Sequence, residues 1–313
     1  MKILSSYKNS YAEISDINHY AQKPESFIAR CEKNYYDQID AVVDQVISAY
    51  GRYRVLLIAG PSSSGKTTTS HKISEAFARI GIHAPVASLD DFLLGIKHYP
   101  KLPDGSPDME SVYTLDLPLI NNTLKQLVET GKATLPVFDF VNSCRSDETN
   151  EVNLGKNGIL IVEGIHALNP MLTEVLRQNA IYRVYVSTRT KFWDGEKELL
   201  TPKDTRLMRR MVRDNKFRGR TPIETLRMWK DVLSGEEKYL YLFRDSVDYK
   251  IDSSLDYEGC VFHHYILPEI AKLKGTDDYD PKLDQIVDIL EAFDDIDCSY
   301  IPEQSLMREF IGN

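Results

Sequence analysis

The chain has 313 residues, of which 42% are hydrophobic and 27% are charged, with 16 glycines and 14 prolines. This composition is close to that of an average globular protein and excludes general disorder, a collagen-like repeat and a low-complexity chain. The net charge of −9 comes from residues 275–313, which hold eleven acids and two bases, so the remainder is neutral overall; this argues against general nucleic-acid binding and leaves room for a local anion site.

The apolar pattern along the chain predicts alternating helices and strands. Residues 1–24 show no period and are interpreted as a loose arm, and a three- and four-residue recurrence after Ser26 predicts a helix that stops at Gly51. Continuous apolar runs predict buried strands, at 54–59, 85–89, 134–138, 158–162 and 182–187. Periodic segments predict helices, at 66–80, 116–130, 171–178, 203–215 and 222–243. This alternation is typical of an α/β fold whose parallel sheet is covered on both faces.

The end of the chain carries an apolar stripe on an acidic helix, at 283–293, which we expect to dock on the main domain. We therefore predict three parts. Residues 1–50 form an N-terminal arm and helix, residues 51–274 form the main domain with a lid at about 188–220, and residues 275–313 form an acidic helix and a docking tail. No apolar run is long enough for a transmembrane helix, and the four cysteines are widely spaced, so we expect a cytoplasmic protein without membrane partners.

The strongest local motif lies between a predicted strand and a predicted helix. Residues 60–67 fit the pattern G-x-x-x-x-G-K-[ST], in which backbone N–H groups cradle phosphate oxygens at a helix N-terminus. Lys66 should reach the β- and γ-phosphates, and the Thr67 hydroxyl should hold Mg²⁺. A chance turn rich in glycine and serine is the alternative, and the flanking strand and helix argue against it. The predicted ATP-binding residues are Gly60, Pro61, Ser62, Ser63, Ser64, Gly65, Lys66, Thr67 and Thr68.

Acidic residues follow two other predicted strands. Glu163 ends the strand at 158–162, where it can reach the magnesium ion or a water bound to it. Asp90 and Asp91 follow the strand at 85–89, at the sheet edge where ligands bind in open α/β folds. A carboxylate there can take a proton from a hydroxyl that attacks the γ-phosphate, and we favour Asp90 over Asp91 for this role. A helix cap or a second magnesium contact is the alternative. His166 is interpreted as a loop residue rather than a catalytic one.

The segment 203–220 holds eight bases and two acids. On a helix, Arg206, Arg209, Arg210 and Arg213 share one face, because they are three and four residues apart. Arginines gathered beside a phosphate site suggest a lid that neutralises the transferred phosphoryl group. A solvated or nucleic-acid-binding basic helix is the alternative.

These motifs, in this order, resemble the uridine kinase branch of the phosphoribulokinase–uridine kinase family. The resemblance spans residues 53–252 and rests on GPSSSGKTT, LDDF, LPVFDF, VEGIHAL and DTRLMRRMVRDNKFRGR. It implies a P-loop NTPase-type three-layer fold with a parallel five-stranded core, a small substrate-side β element and an arginine lid. It also implies the cofactors ATP and Mg²⁺ and phosphorylation of a ribonucleoside at its 5′-hydroxyl.

The resemblance also implies roles for individual residues. Asp90 matches the catalytic base, and Lys66, Arg213 and Arg218 complete the catalytic set on the phosphate side. Thr67 and Glu163 match the magnesium residues. The implied acceptor-binding residues are Asp90, Glu110, Phe138, Ser143, Arg145, Arg210 and Arg220.

The stretch 136–145 departs from the family pattern. Phe138 stands where the uridine–cytidine kinases have a tyrosine that reads the base, and Ser143 stands where they have a histidine. Losing two polar contacts can change specificity by orders of magnitude, although Phe138 can still stack on a ring. An insertion near 190–200 enlarges the approach to the lid.

The sequence thus predicts a kinase acting on a uridine- or cytidine-like ribonucleoside. Two alternatives stay open: a kinase of the same family acting on another alcohol, such as another nucleoside, pantothenate or a sugar phosphate, and a regulatory nucleotide-binding module. The expected partner is a small molecule and not nucleic acid, and whether the chain forms a homo-oligomer stays open.

Overall fold

The structure, a computed structural model, describes residues 11–49, 51–140, 142–155, 157–277 and 279–313. Its strands are β1 (Tyr11–Glu13), β2 (Val55–Ala59), β3 (Val86–Ser88), β4 (Lys132–Asp139), β5 (Cys144–Asn153), β6 (Leu160–Glu163), β7 (Ile181–Ser187), β8 (Lys191–Asp194), β9 (Lys197–Leu200) and β10 (Tyr249–Asp252). Its helices are α1 (Ile14–Ala21), α2 (Pro24–Ser48), α3 (Lys66–Arg79), α4 (Leu117–Thr130), α5 (Pro202–Arg218), α6 (Pro222–Tyr239), α7 (Glu258–Leu273), α8 (Lys282–Leu290) and α9 (Arg308–Ile311).

A five-stranded parallel sheet with the order β10-β7-β2-β6-β3 forms the centre of the fold. Every residue of β2 is buried, as expected for a strand covered on both faces. Its side chains alternate between two hydrophobic clusters: Leu56 and Ile58 belong to one, and Val55 and Leu57 to the other. The predicted α/β class with a parallel five-stranded core is therefore confirmed.

The order of the strands determines which polar residues lie together at one edge of the sheet. Strand β6 lies between β2 and β3, and Glu163 is in register with Ile58 on one side and with Ser88 on the other. Because the strands are parallel, the loops that follow β2, β3 and β6 lie at one edge of the sheet. That edge holds the predicted phosphate loop, Asp90 and Glu163.

Strand β4 lies outside the parallel sheet. It pairs with β5 in an antiparallel hairpin, with Phe138 opposite Arg145, and this hairpin is the small β element that the family resemblance implied. The apolar run at 134–138 marked the strand, and the partner strand β5 gave no such signal because nearly all of its residues are polar and exposed.

The predicted helix at 171–178 is wrong. The structure has only two short 3₁₀ turns there, at Pro170–Leu172 and Gln178–Ala180, and the Asn169 side chain caps the first. The side-chain amide of Asn121, on α4, donates a hydrogen bond to the Met171 carbonyl at 2.8 Å. In a helix that carbonyl would pair with the N–H group of residue 175, so this contact with α4 takes the place of helical pairing.

The predicted loose arm is wrong for the residues that the structure describes. Residues 11–13 form β1, which pairs in parallel with β8, and residues 14–21 form α1. Strand β8 and its antiparallel partner β9 form the insertion near 190–200. The N-terminal segment and the insertion are therefore paired in one small sheet. Residues 1–10 of the arm and Tyr50 of the predicted first helix lie outside the described residues.

The two ends of the chain share one hydrophobic core with the sheet. Ile17 and Phe27 near the N-terminus belong to the same buried cluster as Leu290 and Phe310 near the C-terminus. The division at residues 50 and 275 stays a prediction. Among the helices of the described residues, none has the length and the apolar content that crossing a bilayer requires.

Candidate active site

The predicted phosphate loop connects β2 to α3. Gly60 sits against the sheet, since a Cβ there would lie 2.2 Å from the Val186 carbonyl oxygen, and only glycine fits. Gly65 has a φ of 80° and is the N-cap of α3, a left-handed conformation that favours glycine. Lys66 and Thr67 begin the helix, so its positive dipole end faces the loop, as an anion site requires.

Two buried ion pairs form hydrogen bonds with this loop and stabilise its shape. Arg206 forms two hydrogen bonds with Glu236, at 2.7 and 2.9 Å, and donates a third to the Ser62 carbonyl. Glu236 also accepts from the Ser62 N–H group at 2.8 Å. Both sides of one loop residue are therefore fixed by charged groups that are shielded from water.

The second pair is Arg209 with Glu258, whose side chains are fully buried and form two bonds of 2.6 Å. Arg209 also donates to the Ser63 carbonyl at 3.2 Å, next to the left-handed backbone of Ser63. Sequence spacing grouped Arg206 and Arg209 with the lid arginines. The structure uses them instead to hold the shape of the phosphate loop.

The C-terminal tail packs against the same loop. Leu306 fills the space beside Gly65, where a Cβ would lie 2.5 Å from its Cδ1 atom. The Thr68 hydroxyl donates a hydrogen bond to the Glu309 carboxylate at 2.5 Å, and the guanidinium of Arg209 lies 5.1 Å from the centre of the Phe310 ring. The phosphate loop is thus held by residues that lie more than 200 positions away in the sequence.

Hydrogen bonds connect the carboxylates at the edge of the sheet. The Ser88 hydroxyl donates to Glu163 at 2.9 Å and accepts from the Asp90 N–H group at 3.3 Å. Burial raises the pKa of the Glu163 carboxyl; the charge of nearby Lys66 opposes this rise and that of Asp90 adds to it. Glu163, Asp90 and Lys66 are therefore close enough to influence one another's charge.

The residues at this edge fit a magnesium ion. One oxygen of Glu163, Oε2, is buried without a hydrogen-bond partner, and a cation would satisfy it. Thr67 offers a hydroxyl at the start of α3. Within the described residues no three side chains of the acidic, histidine or cysteine type form a cation cage. Mg²⁺ in kinases is typically held by one or two protein oxygens together with substrate phosphates, so this sparse set is of the expected kind.

A cavity of about 230 Å³ opens next to the phosphate loop and brings four of the predicted residues together. Lys66, Asp90 and Glu110 all line it, with Ser62 and His166. The rest of the wall comes from Tyr99 and Thr114 and from five apolar side chains, those of Leu89, Leu93, Met109, Leu115 and Ile165. A small cleft that combines apolar walls with converging polar groups is typical of a small-molecule site.

The structure separates the roles of the two neighbouring aspartates. Asp90 lines the cavity and is exposed. Asp91 accepts a hydrogen bond from the backbone N–H group of Phe138 at 3.3 Å, which connects the turn after β3 to the hairpin. This geometry favours Asp90 as the group that meets an acceptor.

Glu110 reaches the cavity because α6 leaves room for it. A Cβ at Gly235 would lie 2.4 Å from the Glu110 Cγ atom, so the glycine lets the carboxyl pack closely. Burial raises the pKa of Glu110 to about 7; repulsion by Glu236 adds to this rise, and the charges of Arg210 and Lys66 oppose it. Near neutral pH the group can therefore both donate and accept a hydrogen bond.

We expect Glu110 to lower the free energy of unfolding as the pH rises from about 4 to about 7. An unfolded glutamate has a pKa near 4.3, so in this window the folded state holds a proton that the unfolded state has lost, and stability decreases with pH. Glu110→Gln should remove this component, and its stability relative to wild type should improve as the pH rises. Urea unfolding at pH 5, 6, 7 and 8 measures it. Glu129→Gln, at an exposed position on α4, is the control, and parallel curves for Glu110→Gln and wild type would contradict the expectation.

The four arginines assigned to the acceptor and the phosphates converge on one buried carboxylate. Asp214 is fully buried and lies 3.1 to 3.4 Å from their guanidinium groups, in the ion pairs with Arg210, Arg213, Arg218 and Arg220. Arg210 also donates to the Ser62 hydroxyl at 2.9 Å, so the cluster touches the phosphate loop. Four positive charges share one negative partner, which leaves a net positive field beside the cavity.

Three of the predicted acceptor-binding residues, which lie on the hairpin, are not part of the cavity wall. Phe138 is buried in the hairpin, where its ring packs edge-on against Phe140. Ser143 lies in the turn of the hairpin with a φ of 51°, and Arg145 forms an ion pair with Asp116 at 3.2 Å. The hairpin stands beside the Asp90 turn, but these three side chains do not line the space next to Asp90.

Sequence reasoning missed several residues that shape the site. Glu236 and Glu258 gave no signal, because their partners are 30 and 49 positions away. Asp214 was visible as an acid inside a basic segment, and that exception could have marked it as the centre of the cluster. Glu309 lies in a segment that sequence analysis treated only as a docking tail.

The chain is similar to proteins of a known family. The model of the phosphoribulokinase / uridine kinase family matches residues 55–251. A protein named uridine kinase from Borrelia duttonii (strain Ly) is 31% identical over 169 residues, which cover 54% of this chain and 70% of that protein. One with the same name from Staphylococcus haemolyticus (strain JCSC1435) is 27% identical over 179 residues, covering 57% and 77%.

A solved structure described as a possible uridine kinase from Bacillus stearothermophilus is also similar. It is 18% identical, with a TM-score of 0.46, and the match covers 69% of this chain and 98% of that one.

Proposed function

The chain belongs to the phosphoribulokinase/uridine kinase family of P-loop kinases, and we propose that it transfers the γ-phosphate of ATP to a hydroxyl group of a small molecule, with the 5′-hydroxyl of a ribonucleoside as the first candidate. One observation carries the proposal. Lys66 of the phosphate loop, Asp90 after β3 and Glu110 line the same cavity, although they come from three separate segments. A module that only binds nucleotide would not need an acidic pocket on the far side of the γ-phosphate.

The residues supply the steps of an in-line phosphoryl transfer. The acceptor hydroxyl lies beside Asp90, which takes its proton as the oxygen attacks the γ-phosphorus; the bond to the β-phosphate oxygen breaks and ADP leaves. Lys66 and the loop N–H groups hold the phosphates in place. Arg213 and Arg218, on the cluster around Asp214, stabilise the charge that spreads over the transferred group.

Thr67 and Glu163 would hold a magnesium ion, which would neutralise negative charge on the phosphates. The unpartnered Oε2 atom of Glu163 supports this assignment. Arg210 and Arg220 lie on the same cluster and would contact the acceptor side, together with Glu110.

A second candidate acceptor is a small alcohol without a base. Two observations favour it. Phe138, Ser143 and Arg145 do not line the cavity, so the stretch that carries the base contacts in the related kinases has no contact here with the space beside Asp90. The volume of about 230 Å³ is also below the roughly 300–1,000 Å³ of typical ligand pockets.

An acceptor panel tests the proposal. We would measure ADP release from Mg-ATP with uridine, cytidine, adenosine, guanosine, inosine, thymidine, pantothenate, ribulose 5-phosphate, ribose and glycerol. We expect at least one compound to stimulate ADP release by tenfold or more over the rate without acceptor. Stimulation by ribonucleosides alone supports the first candidate, and stimulation by ribose or glycerol supports the second. ATP binding without stimulation by any compound would contradict transfer to these acceptors.

A further inference from the structure

A second cavity adjoins the phosphate loop at Pro61. Its volume is about 530 Å³, within the roughly 300–1,000 Å³ of typical ligand pockets. It shares no lining residue with the cavity that Lys66 and Asp90 line, and none of residues 62–68 lines it. The mechanism described above therefore leaves this space without a role.

The wall of the second cavity is strongly basic. Its lining residues include one acid, Asp245, and six cations, which are Arg189, Lys191, Lys203, Arg206, Arg244 and Lys250. Some of the cations form ion pairs, and the carboxylates concerned are those of Asp245, Glu198 and Glu236. When these three carboxylates are subtracted, the lining residues and their ion-pair partners keep a surplus of three positive charges. A concave surface with such a surplus attracts anions.

The wall is built on strands and a helix rather than on one loop. Lys250 on β10 is in register with Tyr185 on β7, and its side chain is 13% exposed and bonds the Asp245 carboxylate at 2.6 Å. The Thr188 hydroxyl donates a hydrogen bond to the Pro202 carbonyl at 2.9 Å, which joins the end of β7 to the start of α5. Groups that are already positioned lose less conformational freedom when a ligand binds.

The insertion near 190–200, by which the chain departs from the family pattern, supplies part of this wall. Lys191 belongs to β8, and Glu198 of β9 holds its ammonium group at 2.7 Å. Arg189 comes just before the insertion, and its backbone N–H group donates to the Ser254 hydroxyl at 2.7 Å. The family resemblance therefore does not account for this cavity.

We propose that the second cavity is an anion site that binds a small molecule carrying two or more phosphate groups, in addition to the ATP at the phosphate loop. Lysine and arginine side chains form strong, charge-assisted hydrogen bonds with phosphate oxygens. Because the cations come from separate segments, they can contact different phosphate groups of one ligand. Arg206 lines the cavity and also donates to the Ser62 carbonyl, so the ligand would lie against a residue that holds the shape of the phosphate loop.

Pyrophosphate is the probe, because it carries two phosphate groups and nothing else. Equilibrium dialysis with the radiolabelled anion would be done at about 0.1 M salt, with a saturating magnesium complex of a non-hydrolysable ATP analogue to fill the phosphate loop. The double variant Lys203→Gln/Arg244→Gln removes two exposed cations of the wall. The control Arg227→Gln/Lys230→Gln removes the same charge from exposed positions of α6 that do not line the cavity.

We expect pyrophosphate to bind wild type while the analogue fills the phosphate loop. The Lys203→Gln/Arg244→Gln protein should bind it about tenfold or more weakly, because two charged donors are lost, and the control should stay within about twofold of wild type. Raising the salt concentration should weaken binding to wild type, as for any site that depends on charge.

Three outcomes would overturn the inference: displacement of pyrophosphate by the analogue, which would assign the anion to the ATP site; unchanged affinity in the Lys203→Gln/Arg244→Gln protein; and equal weakening in both double variants, which would indicate attraction by overall charge alone. If the analogue itself does not bind, the proposed function fails. The two double variants are then compared in the Lys66→Ala protein without the analogue, and the last two outcomes decide the inference.

Discussion

Replacing Asp90 with asparagine is expected to lower kcat by about 10²–10⁴-fold and to leave ATP affinity nearly unchanged. Asp90 lines the cavity next to Lys66, and its backbone is positioned by Ser88 at the end of β3. Asparagine has almost the same shape but cannot take the proton of the acceptor hydroxyl. The measurement is steady-state ADP release with the best acceptor, with nucleotide affinity determined separately by titration.

The neighbouring aspartate provides the control for this prediction. Asp91→Asn retains an oxygen that can accept the hydrogen bond from the Phe138 backbone, so its kcat should stay within a few-fold of wild type. A large loss in Asp91→Asn together with normal turnover in Asp90→Asn would exchange the two roles. Normal turnover in both variants would exclude a carboxylate base in this turn.

Replacing Lys66 with alanine should lower kcat by about 10²–10³-fold or more, since one cation that stabilises the transferred phosphoryl group is removed. Lys66 is the first residue of α3 and lines the cavity, and its charge reaches both Glu163 and Glu110. Removing it should also raise the pKa of both carboxyls, because in each case Lys66 opposes the rise that burial causes. Rates under single-turnover conditions would report the loss directly.

Lys72→Ala is the matched control for Lys66→Ala. Lys72 lies on the same helix and pairs with Glu75 at 3.0 Å, away from the cavity, so its loss should leave turnover unchanged. An active Lys66→Ala protein would undermine the assignment of residues 60–68 as the nucleotide site. Equal losses in both variants would indicate an effect on α3 as a whole rather than on phosphate.

The sequence alone predicts those parts of the fold that depend on local residue patterns. The phosphate loop, the central strand β2 and the helix α3 follow from glycines at fixed positions and from a continuous apolar run, and the structure places them as predicted. Glu163 and Asp90 could be predicted for the same reason, since one ends a strand of the parallel sheet and the other lies just after a strand. Family resemblance added Glu110, which no local pattern would have identified.

The remaining parts depend on contacts between distant segments. Strand β5 is polar on both faces, so it has no apolar period in the sequence. It forms because its backbone pairs with that of β4. Arg206 and Arg209 have the spacing of lid residues, but buried glutamates on α6 and α7 take their charges. Nothing in the spacing of arginines indicates which of them will meet a carboxylate in the interior.

The tail has a consequence for genetics. Leu306, Met307, Phe310 and Ile311 are fully buried, and Leu306 rests on Gly65 of the phosphate loop. The last residues of a domain are poorly ordered unless packing ties them down. Here a stop codon at or before position 306 would delete the support of the phosphate loop, and such an allele should behave as a null.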